Sequence, residues 1–285
     1  MTESALSQKI APAPRGGRNL TIATVVGLAL LALVVLSLVV RKDAFVLIAI
    51  VACALGLREL AAAWAVRDIH VPLLPLLVGS VGILVSSYTA GTEALLVSFL
   101  LTAGGVVVWR VIDGGGMIAM RDASAGTFAA AYVPFLAGFV MLMLSENDGA
   151  RRVMLFILLV VANDVGGYAA GTLIGRHRMA PRISPNKTWE GLLGSVILAL
   201  AVGIVAGSVL LRLSMVASAI VAMATVVTGT LGDLAESAIK RDLALKDMSD
   251  LLPGHGGVLD RLDSMLVAAP VTYLLLLILH TPGVS

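Results

Sequence analysis

The stretch EGLLGSVILALAVGIVAGSVLL, residues 190–211, carries a charge at its first position and none after it. About 20 apolar residues are what an α-helix needs to cross the hydrocarbon of a bilayer. No water is available there, so the backbone must satisfy its own hydrogen bonds, and a helix does so within one segment. The same pattern recurs along the chain. Runs of this kind cover 20–40, 44–66, 71–88, 94–112, 123–144, 153–175, 190–211, 214–235 and 264–280. A transmembrane β-barrel would instead show short segments of alternating polarity. The sequence therefore predicts an all-α, polytopic integral membrane protein with about nine transmembrane helices.

Composition agrees. The chain is 59% hydrophobic and 13% charged, with a mean hydropathy of +0.99. Soluble domains are roughly 45–50% apolar and about 25% charged. A net charge of +2 gives no reason to expect a nucleic-acid partner. The single thiol, Cys53, lies in an apolar run and reads as a small buried hydrophobe. Residues 1–19 are polar, with Pro12, Pro14, Gly16 and Gly17, and read as a disordered tail. Residues 20–285 read as a single transmembrane catalytic domain, because the loops are short. The run 20–40 is too long for a signal-peptide core, and Arg41-Lys42-Asp43 follows it, so it is expected to be retained.

Lysine and arginine collect in cytoplasmic loops. With a cytoplasmic N-terminus, the outer loops hold Arg41, Lys42, Arg151, Arg152 and Arg212, Arg58 lies within a span, and the remaining bases fall inside. The two most charged loops, 176–189 and 236–263, are separated by two spans and must share a side whichever way the chain is oriented.

Four stretches stand out against the apolar background. Asn163-Asp164-Val165-Gly166-Gly167-Tyr168 sits inside the sixth run. An ionised Asp there is costly unless paired, hydrated or metal-bound. The alternative is a polar helix–helix contact drawn close by small glycines. Ser184-Pro185-Asn186-Lys187-Thr188-Trp189-Glu190 opens the seventh run. Ser184 or Asn186 is placed to cap that helix, and Glu190 falls in its first turn. Free N–H groups beside Lys187 make a phosphate site, or else Lys187 merely snorkels.

Asp233, Glu236, Ser237 and Lys240 follow i, i+3, i+4 and i+7, one helical face. An ordinary Glu236–Lys240 pair would leave Asp233 unexplained. The last stretch runs from Lys246 through His255-Gly256-Gly257 to Asp260-Arg261-Leu262-Asp263. The glycines let backbone approach a ligand closely. His255 reads as a loop residue or a base. Asp260 and Asp263 also suit a helix N-terminus with no ligand at all.

Carboxylates without thiols or clustered histidines suit a hard cation such as Mg²⁺. Bases and a helix start suit phosphates. Together they point to phosphoryl or nucleotidyl transfer, in which catalysis is mostly positioning and charge neutralisation.

Ser237-x-Ile239-Lys240-Arg241-x4-Lys246-Asp247-x-Ser249-x2-Leu252-Pro253-x-His255-Gly256-Gly257-Val258-x-Asp260-Arg261-Leu262-Asp263 resembles the signature of phosphatidate cytidylyltransferases (CDP-diacylglycerol synthases), with no departure along its length. Asn163-Asp164-x-Gly166-x-Tyr168 and Ser184-Pro185-x-Lys187-Thr188-Trp189-Glu190-Gly191 look like the same family. The resemblance implies a phospholipid-biosynthetic reaction at the bilayer: CTP and phosphatidic acid give CDP-diacylglycerol and pyrophosphate, with Mg²⁺. It also implies a second, monovalent cation such as K⁺, and a homodimer. By the resemblance Asp233 and Asp260 bind metal, with Asp164, Glu236 and Asp263 as further candidates.

The mechanism expected from this is direct attack of phosphatidate on CTP at the cytoplasmic face of the plasma or inner membrane. Lys240 and Arg241 join Asp233 and Asp260 as the catalytic group. Ser184, Asn186, Lys187, Lys246, His255, Gly256, Gly257 and Arg261 are the expected substrate contacts. Two other readings stay open. A CTP-dependent polyprenol or dolichol kinase would release CDP rather than pyrophosphate. An ion-coupled transporter, with Asp164 and Asp233 as coupling sites, would be marked by inverted repeats, which the sequence does not show.

Overall fold

Every long apolar run folds as helix. The computed structural model describes residues 20–251 and 256–280. The tail expected over 1–19 and the expected contact His255 lie outside the described residues. In chain order the elements are α1 (Leu20–Val40), α2 (Lys42–Ala65), α3 (Leu73–Ile112), α4 (Gly116–Ala130), a π turn (Ala131–Phe135), α5 (Leu136–Ser145), α6 (Gly149–Ile174), β1 (Arg178–Ala180), β2 (Ser184–Thr188), α7 (Trp189–Leu211), α8 (Met215–Asp242) and α9 (Leu259–Leu279). Among the described residues, the antiparallel β1–β2 hairpin is the one departure from helical architecture.

Seven helical rods among the described residues are long and apolar enough to cross a bilayer. One of them, α3, lies over two of the expected spans, 71–88 and 94–112. It breaks at Gly91, whose φ of 81° and ψ of −161° belong to a region that essentially only glycine adopts. Ser86 Oγ reaches Ser98 Oγ at 2.9 Å. In a straight helix those residues would stand about 18 Å apart along the axis. The chain therefore doubles back at Gly91, and α3 is two antiparallel limbs. Conversely, α4, the π turn and α5 run on as one rod. Pro134 lies in the π turn, and the wider turn absorbs its missing N–H and its ring.

Contacts sort the loops into two ends of the bundle. At one end Arg67 Nη2 donates to Asp242 O at 3.0 Å, and Arg241 Nε donates to Ile183 O at 3.1 Å. The charged loops 176–189 and 236–263 thus do meet. At the opposite end Lys42 Nζ donates to the carbonyl of Glu146, and His280 Nε2 lies 2.7 Å from Asp148 Oδ2.

That opposite end is held by Asp148, whose Oδ1 also accepts from Arg152 Nε at 2.7 Å. Arg152 is only 2% exposed. Burial alone would raise the Asp148 pKa, but the Arg152 guanidinium, and then His280, overcome that and hold the carboxyl below its ordinary value. A depressed carboxyl pKa contributes stability above its unfolded value of about 3.9 and loses it as pH falls through the folded value. Asp148→Asn is expected to cost about 3 kcal/mol at pH 7, at the low end for a broken buried pair because Asp148 is partly exposed. Its thermal midpoint in detergent should also fall less steeply than the wild type's below about pH 4.

Candidate active site

Glycine decides how closely the site-forming helices approach. A Cβ on Gly166 of α6 would lie 2.5 Å from Gly194 O of α7, and one on Gly194 would lie 2.5 Å from Gly166 O. The two backbones touch, as small residues allow inside a membrane. At the other crossing, a Cβ on Gly232 of α8 would lie 2.5 Å from Asp263 O of α9. These two close crossings bring four helices to one place at the end of the bundle that holds the charged loops.

The entry to α7 differs from expectation. Neither Ser184 nor Asn186 caps it. Both lie on β2, and Thr188 is the cap, its Oγ1 accepting from Gly191 N at 3.1 Å. The strand occupies the chain up to Thr188, so the capping role falls to the last polar residue before the helix. Glu190 does fall in the first turn, where it accepts from the backbone N–H groups of Arg176 and His177 at 3.1 Å. The strand instead turns Ser184, Asn186 and Lys187 toward a cavity.

α8 runs on to Asp242 and carries Asp233, Glu236, Ser237 and Lys240 on one continuous helix. Asp233 Oδ2 pairs with Lys187 Nζ at 2.6 Å, and Asp233 Oδ1 accepts from Ser237 Oγ at 3.4 Å. Lys240 is the hub of the next turn. Its ammonium contacts Glu236 Oε2, and it lies 2.7 Å from Asp260 Oδ1. Glu236 is fully buried; Lys240 is its ionic partner, but neither carboxylate oxygen has a hydrogen bond of good geometry.

α9 starts at Leu259, earlier than the expected 264. Asp260 in its first turn accepts from Gly257 N at 2.7 Å and from Met248 N at 3.0 Å through Oδ2. The paired glycines serve this packing directly. Gly256 has φ +82°, and a Cβ there would lie 3.0 Å from Asp260 Oδ2. The close approach they permit is to the protein's own carboxylates.

These groups surround a cavity of about 500 Å³. Asp164, Asp233, Asp247, Asp260 and Asp263 line it, together with Lys187, Lys240 and Arg261. Ser184, Asn186 and Ser195 complete its polar wall. Deeper in, Asn163 donates to Asp164 Oδ1 at 3.0 Å, while its own Oδ1 is buried with no hydrogen-bond partner. Among the described residues, no three His, Cys, Asp or Glu side chains gather tightly enough to hold an ion by themselves.

Most of the residues singled out in the sequence meet here. Of the expected catalytic, substrate and metal residues that are described, five do not line the cavity: Gly256, Gly257, Arg241, Lys246 and Glu236. Arg241 braces the hairpin through Ile183 O and also donates to Leu245 O at 3.4 Å. Lys246 is exposed. Glu236 lies behind Lys240. Sequence reasoning missed Glu59 of α2, a buried carboxylate that reaches the α8–α9 loop. Its only sequence signal is an acid inside an apolar run.

Comparison with known proteins adds a family to this geometry. The sequence model of the cytidylyltransferase family matches residues 21–279. A Mycobacterium leprae protein named phosphatidate cytidylyltransferase is 37% identical over 290 residues, covering 96% of this chain and 93% of its own length. A Mycobacterium bovis protein of the same name is 35% identical over 281 residues, 93% of this chain and 90% of its own. The Haemophilus influenzae protein so named is 39% identical over 148 residues, 48% of this chain and 51% of its own. The resemblance carried by 163–168, 184–191 and 237–263 is borne out.

Proposed function

The chain belongs to the cytidylyltransferase family and is a nucleotidyltransferase, and from that premise we propose that it converts CTP and phosphatidic acid to CDP-diacylglycerol and pyrophosphate. The observation that carries the reading is the cavity where acids and bases from α6, β2, α8 and α9 face one another at the base-rich end of an apolar bundle. Full-length relatives named for this activity support it.

A phosphatidate oxygen attacks the α-phosphorus of CTP. The bond from that phosphorus to the bridging oxygen breaks, and pyrophosphate leaves. Phosphatidate supplies the nucleophile, so no side chain need form a covalent intermediate. Lys187, held by Asp233, is already poised at the cavity wall to take a phosphate. Ser184 and Asn186 offer hydroxyl and amide donors beside it. Lys240 and Arg261 face the growing charge on the leaving group. The all-oxygen donor set, with partnerless Asn163 Oδ1 deep in the site, fits a hard cation completed by substrate phosphates. Asp233 and Asp260 would hold Mg²⁺, with Asp164 and Asp263 beside them and Glu236 behind. When bound, the ion neutralises phosphate charge. A monovalent cation such as K⁺ belongs to the same proposal.

The orientation proposed is N-terminus and cavity on the cytoplasmic side, with nine crossings if α1 and both limbs of α3 each span. A homodimer is proposed on the family relationship alone. The deciding experiment uses purified protein with phosphatidate and CTP labelled at the α- or γ-phosphate, with and without Mg²⁺. The α-label should enter the lipid and pyrophosphate should appear, only with Mg²⁺. Transfer of the γ-label to lipid with release of CDP would make the protein a lipid kinase. Ion flux in liposomes without CTP turnover would make it a transporter.

A further inference from the structure

We propose that Glu59 is a positioning residue for nucleotidyl transfer: from α2 it supplies the cap that α9 lacks, and so fixes the turn that presents Asp260. The proposal rests on the reading of the cavity as the transfer site.

The residue at the N-cap of α9 is Val258, whose side chain cannot accept a hydrogen bond, and no side-chain cap comes from within the turn at that position. The first N–H groups of a helix have no partner within the helix. The backbone N–H groups leading into α9 and its first one are shared between two carboxylates. Gly257 N donates to Asp260. Val258 N donates to Glu59 Oε1 at 2.9 Å, and Leu259 N donates to Glu59 Oε2 at 2.8 Å. Glu59 Oε1 also accepts from Ser249 Oγ at 2.6 Å, within the same loop. One acid thus ties the middle of the loop, at Ser249, and the start of α9 to α2.

Room for this arrangement depends on Gly257. A Cβ there would lie 2.7 Å from Glu59 Oε2 and 3.1 Å from Asp260 Oδ2. A carboxylate that is 6% exposed inside an apolar helix is costly. Three charge-assisted hydrogen bonds and the positive end of α9 offset that cost. Glu59 does not line the cavity, so it acts through Asp260 and the backbone beside it.

The test uses the full chain in detergent or nanodiscs, with Glu59→Gln and Glu59→Asp. Gln keeps the shape but turns one acceptor into a donor facing N–H groups. Misplacing a reacting group by about an ångström can cost 10²-fold in rate, so Glu59→Gln is expected to lower kcat roughly tenfold to hundredfold. KM for CTP should hardly move. Amide exchange should quicken across 256–262 and stay unchanged in α6 and α7. Glu59→Asp, which keeps the charge, should recover part of kcat. Wild-type kcat and wild-type exchange in Glu59→Gln would overturn the proposal. So would exchange that rises throughout the bundle with kcat and KM falling together, because that marks a general structural strut. Should wild-type protein make no CDP-lipid, the transfer reading fails, while the exchange measurement still reports whether Glu59 holds the turn.

Discussion

Lys240→Met should abolish most nucleotidyl transfer and destabilise the fold at the same time. Lys240 is the one cation in ionic contact with both Glu236 and Asp260 among the described residues. The Glu236 side chain is 0% exposed and that of Asp260 is 3% exposed. Removing one partner of a buried ion pair strands the other charge, at a cost of about 3–5 kcal/mol. Met fills the same volume, so cavity formation adds little. In the proposed reaction Lys240 faces the leaving pyrophosphate, and loss of that charge is expected to lower kcat roughly 10²–10³-fold.

Adding Glu236→Gln separates the two effects. The double variant removes one stranded acid, so its thermal midpoint should return toward wild type. Its kcat should not return, because the cation is still missing from the cavity wall. A Lys240→Met protein with an unaltered midpoint would show that the cluster is not a coupled unit. Unaltered kcat would remove Lys240 from the reaction.

The contrast between Lys240 and Glu59 shows what a sequence can reveal. Asp233, Glu236, Ser237 and Lys240 were legible because one continuous helix fixes their common face by period alone. Their neighbour Arg241 is about 100° round the same helix, which is why it turns to the hairpin instead of the cavity. Glu59 was not legible, since its partners Ser249, Val258 and Leu259 lie about two hundred positions away. No period links them, and only the packing of α2 brings them together. The cap of α7 failed for a related reason. Ser184 and Asn186 have the right chemistry for a cap, but a hairpin needs those positions for a strand, and hairpin pairing is not a local property of the helix start. Gly256 and Gly257 read as places where backbone approaches a ligand, and the structure shows close approach there to side chains of the protein itself. What approaches them was hidden, because it is the side chains of Asp260 and Glu59.

Gly166→Val should be as damaging as loss of Lys240, though it touches no charged group. Gly166 Cβ would sit 2.5 Å from a backbone oxygen, Gly194 O. Backbone has no rotamer to yield, so α6 and α7 must move apart. Overpacking of this kind costs about 1–3 kcal/mol or more. The functional cost is larger than the structural one. Asp164 is two residues before Gly166 on α6, and Lys187 is two residues before the start of α7. Parting these helices therefore pulls one wall of the cavity from the other, and about an ångström of misplacement can cost 10²-fold in rate. Gly171→Ala is the internal control. It lies on α6 and faces the start of α7, but its Cβ would meet Thr188 Oγ1 at 3.5 Å and Gly191 Cα at 3.8 Å, ordinary contacts. It should retain near-normal turnover. Equal loss in both variants would mean that glycine at this interface serves flexibility and not close approach. Loss in Gly166→Val alone would show that the distance between α6 and α7 sets the distance between the groups that act on the substrate.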